Sequence, residues 1–199
     1  HAVLTLIIGG VTCAGAAISA WNGRRVYESL RPGVDAPAQI AFTLEAPATT
    51  ASLLVRETVV QSPRIAAQFV GKLGWLDTPM PAWLVVLDCF FLLLLSLADG
   101  PVRWMLWSER TALAVVSAAT IFAIALSQYV IWTPLRADFV AGMQGRYFLP
   151  VAPFALAVLN LRRQAPSWLR LWIPLMTSLV STIGIVTAMI VLARRYYGA

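Results

Sequence analysis

The chain has 199 residues, of which 59% are hydrophobic and only 12% are charged. Ordinary soluble domains carry about 25% charged residues, so this composition excludes a soluble globule and indicates a membrane protein. The net charge of +6 lies on an apolar chain. No long basic run accompanies it, which favours lipid phosphates over nucleic acid as the anionic partner.

Cysteine and histidine usage gives no sign of a metal or redox site. Cys13 and Cys89 both lie in apolar runs without CxxC spacing, and we interpret them as small packing residues. His1 is the single histidine, so a histidine metal cluster is excluded. We predict no metal site and no cofactor.

Residues 2–21 form the first apolar run, whose roughly 20 residues are enough to span a bilayer core. Gly9, Cys13 and Ala17 recur at every fourth position. Such a stripe of small residues favours close packing against another helix in the membrane. The run follows His1 directly, with no initiator methionine or basic segment ahead of it. We therefore expect a processed chain or a piece of a longer protein.

The next segment, residues 22–81, is more polar and rich in proline. Ser62 is a candidate N-cap with Pro63 at the first helical position, and another short helix is predicted after Pro47. We expect these short amphipathic helices to lie on the membrane surface as an interfacial loop, not as a separate soluble domain.

Four further apolar runs follow, and we predict that each crosses the membrane. Their residues are 82–98, 111–132, 146–161 and 171–193. All eight tryptophans fall at the ends of the predicted spans, as interfacial anchors do. In the fourth span, Pro150 and Pro153 predict a kinked or unwound start. The sequence therefore predicts an all-α polytopic membrane protein with about five transmembrane helices, forming a single membrane domain over residues 1–199.

Asp88 is the acidic residue inside the second predicted span, roughly 10 Å from its start. An intramembrane carboxylate is by default a functional candidate, and a structural aspartate paired within the helices is the alternative. A transport function would also involve Asp88, but the sequence shows no paired half-helices to support a transporter.

The stretch GMQGRYFLP, residues 142–150, places a guanidinium where the chain enters the fourth span. An unpaired charge at that boundary is costly, so we expect Arg146 to meet Asp77, Asp138 or a bound phosphate in a polar cavity. The two glycines allow a tight turn and a close approach to a ligand or to another helix. The alternative is that Arg146 snorkels to the lipid headgroups.

Two short motifs resemble a known family. GMQGRYFLP follows a span ending in IWTPL, and GKLGWLDTPMP occupies residues 71–81. With the order of spans, these motifs resemble the bacterial membrane-protein family called domain of unknown function 2142, to whose C-terminal part the chain is similar. That family is distantly related to GT-C glycosyltransferases, which use polyprenyl-phosphate sugars. The resemblance implies a multi-pass protein of the bacterial inner membrane.

The implied function is part of a GT-C-like glycosyltransferase for cell-envelope glycan assembly. GT-C enzymes carry their catalytic acidic residue in the first extracytoplasmic loop. The chain has no counterpart of that loop, so it resembles a transferase without its catalytic half, and no catalytic residue is assigned. Polyprenyl phosphate is the candidate substrate lipid. The candidate lipid-phosphate or substrate-binding residues are Arg146, Gln144, Tyr147, Arg136, Asp77 and Lys72.

A non-catalytic transmembrane subunit of a larger membrane complex is the alternative function. The small-residue stripes and the missing catalytic constellation both suit it. In either case the expected partners are membrane lipids and other transmembrane helices or subunits, without nucleic acid. Charge does not orient the chain, because ten Lys/Arg lie on the long-loop side and five opposite, but six of the ten are in a loop too long for the rule. The resemblance implies that the long loop is extracytoplasmic.

Overall fold

The computed structural model describes residues 31–73, 77–98, 106–159 and 167–198, of which 167–171 are described by their backbone. The first predicted span, with Cys13 and its small-residue stripe, lies outside the described residues. The described α-helices are α1 (Ala36–Glu45), α2 (Pro47–Gly71), α3 (Ala82–Ala98), α4 (Trp107–Ile131), α5 (Ala152–Leu159) and α6 (Ser167–Tyr197). A 3-10 helix covers Gly145–Phe148, and the short strands β1 (Lys72–Leu73) and β2 (Thr78–Pro79) pair antiparallel. The predicted helical fold class is confirmed.

Two described helices, Trp107–Ile131 and Trp172–Tyr197, are long and apolar enough to cross a membrane. The apolar part of α3, Ala82–Leu97, is shorter. The predicted fourth span begins as the 3-10 helix and continues as the 8-residue α5. Its irregular start agrees with the positions of two prolines, which cannot donate helical hydrogen bonds. The total of about five spans stays a prediction.

The predicted break in the interfacial segment is wrong, because α2 is one continuous helix of 25 residues with Pro63 inside it. Pro63 has no N–H and therefore leaves the carbonyl of Val59 without its helical donor. The hydroxyl of Ser62 donates to that carbonyl at 2.8 Å. Ser62 is thus not the expected N-cap acceptor; it supplies the hydrogen bond that proline removes.

The buried face of α2 contains both polar and apolar side chains. Glu57 and Gln68 are only 9% and 8% exposed and lie on it together with Leu54 and Ile65, whereas Val55 and Val59 are 57% and 66% exposed. The exposed valines agree with the predicted position at the membrane interface.

A buried hydrophobic cluster joins α2, α4 and the chain that follows α4. Its members are Leu54, Ile65, Ala125, Tyr129, Val140 and Met143. The hydroxyl of Tyr129 donates to the carbonyl of Ala137 at 3.2 Å, so the cluster also fixes the backbone leaving α4. At the far end of the chain, Arg195 pairs with Asp77 at 3.4 Å, which places the end of α6 beside the β1–β2 hairpin.

Candidate functional site

The site is formed by the connecting segment, residues 136–145, which joins α4 to the 3-10 helix and lies along α2. Side chains of α2 hold its main chain from one end to the other. The contacts are Arg56 to the carbonyl of Asp138, Gln61 to the carbonyl of Val140 (2.8 Å), Arg64 to the carbonyl of Met143 (3.1 Å) and the N–H of Gly145 to Gln68 Oε1 (3.1 Å). The connecting segment is therefore fastened by helix side chains where a sheet would use a neighbouring strand.

Glu57 is the buried charge at the middle of this arrangement. Its carboxylate accepts hydrogen bonds from Gln61 Nε2 at 3.0 Å and from the N–H of Val140 at 3.4 Å. Arg56 forms an ion pair with it at 3.3 Å. A buried carboxylate is tolerated when it is paired and hydrogen-bonded in this way. We assign Glu57 the role of holding the connecting segment on α2.

The two glycines of the motif are explained by packing. Gly142 has a positive φ of 78°, and a Cβ there would lie 2.0 Å from Cδ1 of Trp132. At Gly145 a Cβ would lie 2.3 Å from the backbone nitrogen of Phe69 and 2.4 Å from the carbonyl oxygen of Ile65. The 3-10 helix therefore touches α2 backbone to backbone. These glycines were predicted to allow a tight turn and a close approach to a ligand or to another helix. The structure shows the turn at Gly142 and the approach to a helix at Gly145.

A groove opens between α2 and the connecting segment, with a volume of about 430 Å³. Its walls are Val60, Gln61 and Arg64 on one side and residues 139–142 on the other. Arg64 is exposed, and its Nη2 donates to Gln61 Oε1 at 3.0 Å as well as to the main chain of Met143. These contacts hold the guanidinium through Nη2, and Arg64 lines the groove.

Sequence reasoning missed Arg64. The available signal was the spacing of Gln61, Arg64 and Gln68, which recur at intervals of three and four residues and so form one face of a helix. The predicted break at Pro63 hid that face, because it placed Gln61 and Arg64 in different helices.

Arg146 is exposed, and its guanidinium carbon lies 5.7 Å from the ring centre of Tyr147. Its expected partner, which is Asp77, Asp138 or a bound phosphate in a polar cavity, stays a prediction. Asp77 pairs with Arg195, and neither Asp77 nor Asp138 forms an ion pair with Arg146 among the described residues. The reason lies in the preceding glycine, whose contact with α2 turns the next side chain of the 3-10 helix outward.

The remaining sequence candidates do not gather in one pocket. Gln144 precedes the 3-10 helix, and its side-chain oxygen is buried without a hydrogen-bond partner. Arg136 lies at the other end of the connecting segment, with a φ of 58° and its guanidinium over the ring of Phe42. Lys72 is exposed on β1, at the hairpin. Asp88 lies apart from all of these, in a groove between α3 and α6.

The described residues contain no group of three or more His, Cys, Asp or Glu side chains placed to hold a metal ion. The chemistry available at the site is that of guanidinium groups, a side-chain amide and backbone carbonyls. Of these groups the guanidinium is the one suited to an anion with several oxygen acceptors, such as phosphate, because carbonyl oxygens donate no hydrogen bonds.

The apolar helices indicate a membrane protein with two candidate spans in the described part. A family model described as a predicted membrane protein, domain of unknown function 2142, matches residues 2–155. Because this match covers well over half of the chain, the chain belongs to that family. The resemblance drawn from GMQGRYFLP and GKLGWLDTPMP is confirmed. No curated protein and no solved structure matches the chain.

Proposed function

We propose that this protein is part of a GT-C-like membrane glycosyltransferase of the bacterial inner membrane. In this proposal Arg64 and Arg146 bind the phosphate of a polyprenyl-phosphate-linked sugar. The observation that supports it is the groove beside Arg64, whose guanidinium donates to the side chain of Gln61 and to the main-chain carbonyl of Met143.

Arg64 and Arg146 lie at the same junction of the fold. Gly145 touches the backbone of Ile65, and the two arginines are the sequence neighbours of these contacting residues. Their guanidinium groups therefore start from backbone positions that the fold holds together. Two guanidinium groups offer paired N–H donors that match the oxygens of a phosphate.

This geometry suits a transfer reaction in which phosphate is the leaving group. Negative charge develops on the leaving phosphate, and donors fixed in advance stabilise it without reorganising. Arg64 is already fixed by two hydrogen bonds, so little side-chain entropy is lost when the anion binds. Glu57 is engaged in holding the connecting segment and is not assigned a catalytic role. The proposal therefore covers binding and charge stabilisation.

The test is binding of polyprenyl phosphate to the purified protein in nanodiscs, followed by native mass spectrometry, with the unphosphorylated polyprenol as the competitor. Hydrogen bonds to charged groups contribute about 1.5–3 kcal/mol each, so R64A and R146A should each weaken binding roughly 10- to 150-fold. R64K and R146K should weaken it nearly as much, because lysine lacks the planar fork.

Arg110 provides the matched control, since it stacks on Trp107 at the start of α4, at the opposite end of that helix. R110A should leave polyprenyl-phosphate binding unchanged. Equal binding of the phosphate and the polyprenol, or unchanged binding by the R64A and R146A variants, would refute the proposal. Arg146 would then be a residue that snorkels to the headgroups.

A non-catalytic subunit of a larger membrane complex is the second candidate function. It is favoured by α6, where a Cβ added at Gly184 would meet nothing within 4 Å. Gly184 and Ala188 are spaced for close contact with a further helix. A photo-crosslinking residue at Gly184 that captures one specific membrane protein in cells, with polyprenyl-phosphate binding absent, would favour the subunit over the transferase.

A further inference from the structure

A second groove, of about 240 Å³, lies between α3 and α6 and is separate from the connecting segment. Its polar lining consists of the carboxyl group of Asp88 on α3 and the hydroxyl groups of Thr177 and Ser181 on α6. The apolar lining includes Phe91 and Leu95, which lie farther along α3. The groove therefore combines one acidic residue near the start of α3 with apolar residues farther along the helix, as in a site that takes a lipid.

Asp88 lies near the start of α3, which is the end of the helix beside the β1–β2 hairpin. Asp88 is six residues from Ala82, about 9 Å along the helix at about 1.5 Å per residue. Side chains of an α-helix lean toward its N-terminus. For α3 that direction leads to the β1–β2 hairpin and the interface, which a lipid headgroup reaches from the membrane surface.

Asp88 forms no ion pair with another described side chain, whereas Arg56 pairs with Glu57 and Arg195 with Asp77. The hydroxyl of Thr177 already donates to the carbonyl of Ile173 at 2.8 Å, so its proton is not available to a ligand. A carboxylate and an occupied hydroxyl both accept hydrogen bonds. The missing partner must therefore donate hydrogen bonds, and a positive charge would satisfy the carboxylate best.

We propose that this groove binds the ammonium headgroup of a membrane lipid, with the carboxylate of Asp88 accepting its N–H donors. A primary ammonium carries three N–H donors and no acceptor, which complements this lining. A hard metal cation is a poor match, because it demands more oxygen ligands than one carboxylate and two hydroxyls supply. The apolar part of the groove accommodates the start of a lipid chain. This site is independent of the phosphate site at Arg64.

Phosphatidylethanolamine and phosphatidylcholine distinguish the proposal, because both headgroups are zwitterionic with a positively charged nitrogen, but only the ethanolamine nitrogen has N–H donors. Lipid retained by the protein in nanodiscs containing equal amounts of the two is measured by native mass spectrometry. The wild-type protein should retain phosphatidylethanolamine at least about tenfold over phosphatidylcholine, since charge-assisted hydrogen bonds contribute about 1.5–3 kcal/mol. D88N should lose that preference.

D138N is the matched control, because Asp138 is exposed on the connecting segment and remote in the chain from this groove. It should keep the wild-type preference. Ser181→Leu fills the groove from an exposed position of α6 and leaves the carboxylate intact, so it should also abolish retention without affecting folding. Equal retention of the two lipids by the wild-type protein, or preserved phosphatidylethanolamine retention in D88N or S181L, would overturn the proposal. Asp88-dependent retention of phosphatidylglycerol instead would overturn the ammonium assignment.

Discussion

Replacing Gly145 by alanine tests whether the 3-10 helix depends on direct backbone contact with α2. The new Cβ would lie 2.3 Å from the nitrogen of Phe69, 2.4 Å from the oxygen of Ile65 and 2.6 Å from the carbonyl carbon of Gln68. All three are main-chain atoms of a continuous helix, so no side chain can rotate away to make room. The two elements must separate, and we expect G145A to destabilise the protein.

The magnitude follows from two losses. Forcing one methyl group into a packed contact costs about 1–3 kcal/mol. Separation also breaks the 3.1 Å bond from the N–H of Gly145 to Gln68, and a buried group without its partner costs about 1–3 kcal/mol. The sum is about 2–6 kcal/mol, which corresponds to a fall in Tm of roughly 4–24 °C at about 2–4 °C per kcal/mol for a chain of this size.

The assay is thermal unfolding in detergent micelles, followed by circular dichroism, with G184A measured alongside. A Cβ at Gly184 meets nothing within 4 Å, and alanine has a helix propensity about 1 kcal/mol better than that of glycine. G184A should therefore unfold at the wild-type temperature or slightly above it. A G145A protein with the Tm of the wild type would show that the 3-10 helix does not touch α2 as described.

Three further predictions concern the connecting segment and the topology. G142A should lower Tm, and adding W132A should restore only part of the loss. The second substitution removes the clash with the indole ring, but the left-handed φ remains costly for alanine. Full restoration of Tm would contradict this. E57A should lower the free energy of unfolding in denaturant by about 1–3 kcal/mol, because the N–H of Val140 and its neighbouring donors lose a buried acceptor. The isosteric E57Q should lower it by less. Equal losses in the two variants would argue against the role of Glu57 as a hydrogen-bond acceptor. Single cysteines at Ser52 and Tyr197, with both native cysteines replaced, should both react with an impermeant reagent in intact cells, and protection of both would invert the proposed orientation.

The sequence predicts the apolar helices well because hydrophobicity over a long window decides them. The predicted spans 111–132 and 171–193 correspond to the structural spans Trp107–Ile131 and Trp172–Tyr197. The ends differ by a few residues, since flanking polar residues continue a helix that the membrane does not require. The irregular start of the fourth predicted span at residues 146–151 could also be predicted, because proline disrupts helical hydrogen bonding locally.

The interfacial segment was harder to predict because its structure depends on contacts between distant parts of the chain. Pro63 is a strong local signal for a helix start, but the hydrogen bond from Ser62 keeps α2 continuous. The bonds from Gln61 and Arg64 to the connecting segment each span 79 residues. No local periodicity reports such pairing. The sequence therefore identified Arg146 at this junction and missed Arg64.

The fastening of the connecting segment has a consequence for which positions can vary. Its contacts with Gln61 and Arg64 use the carbonyls of Val140 and Met143, and a carbonyl is present whatever the side chain. Phe139 and Ala141 bring side chains to the groove without being needed for those bonds. Substitution at these two positions should therefore change the shape of the groove and leave the hydrogen bonds to Gln61 and Arg64 intact. A ligand preference can diverge there while the anchoring residues of the helix stay the same.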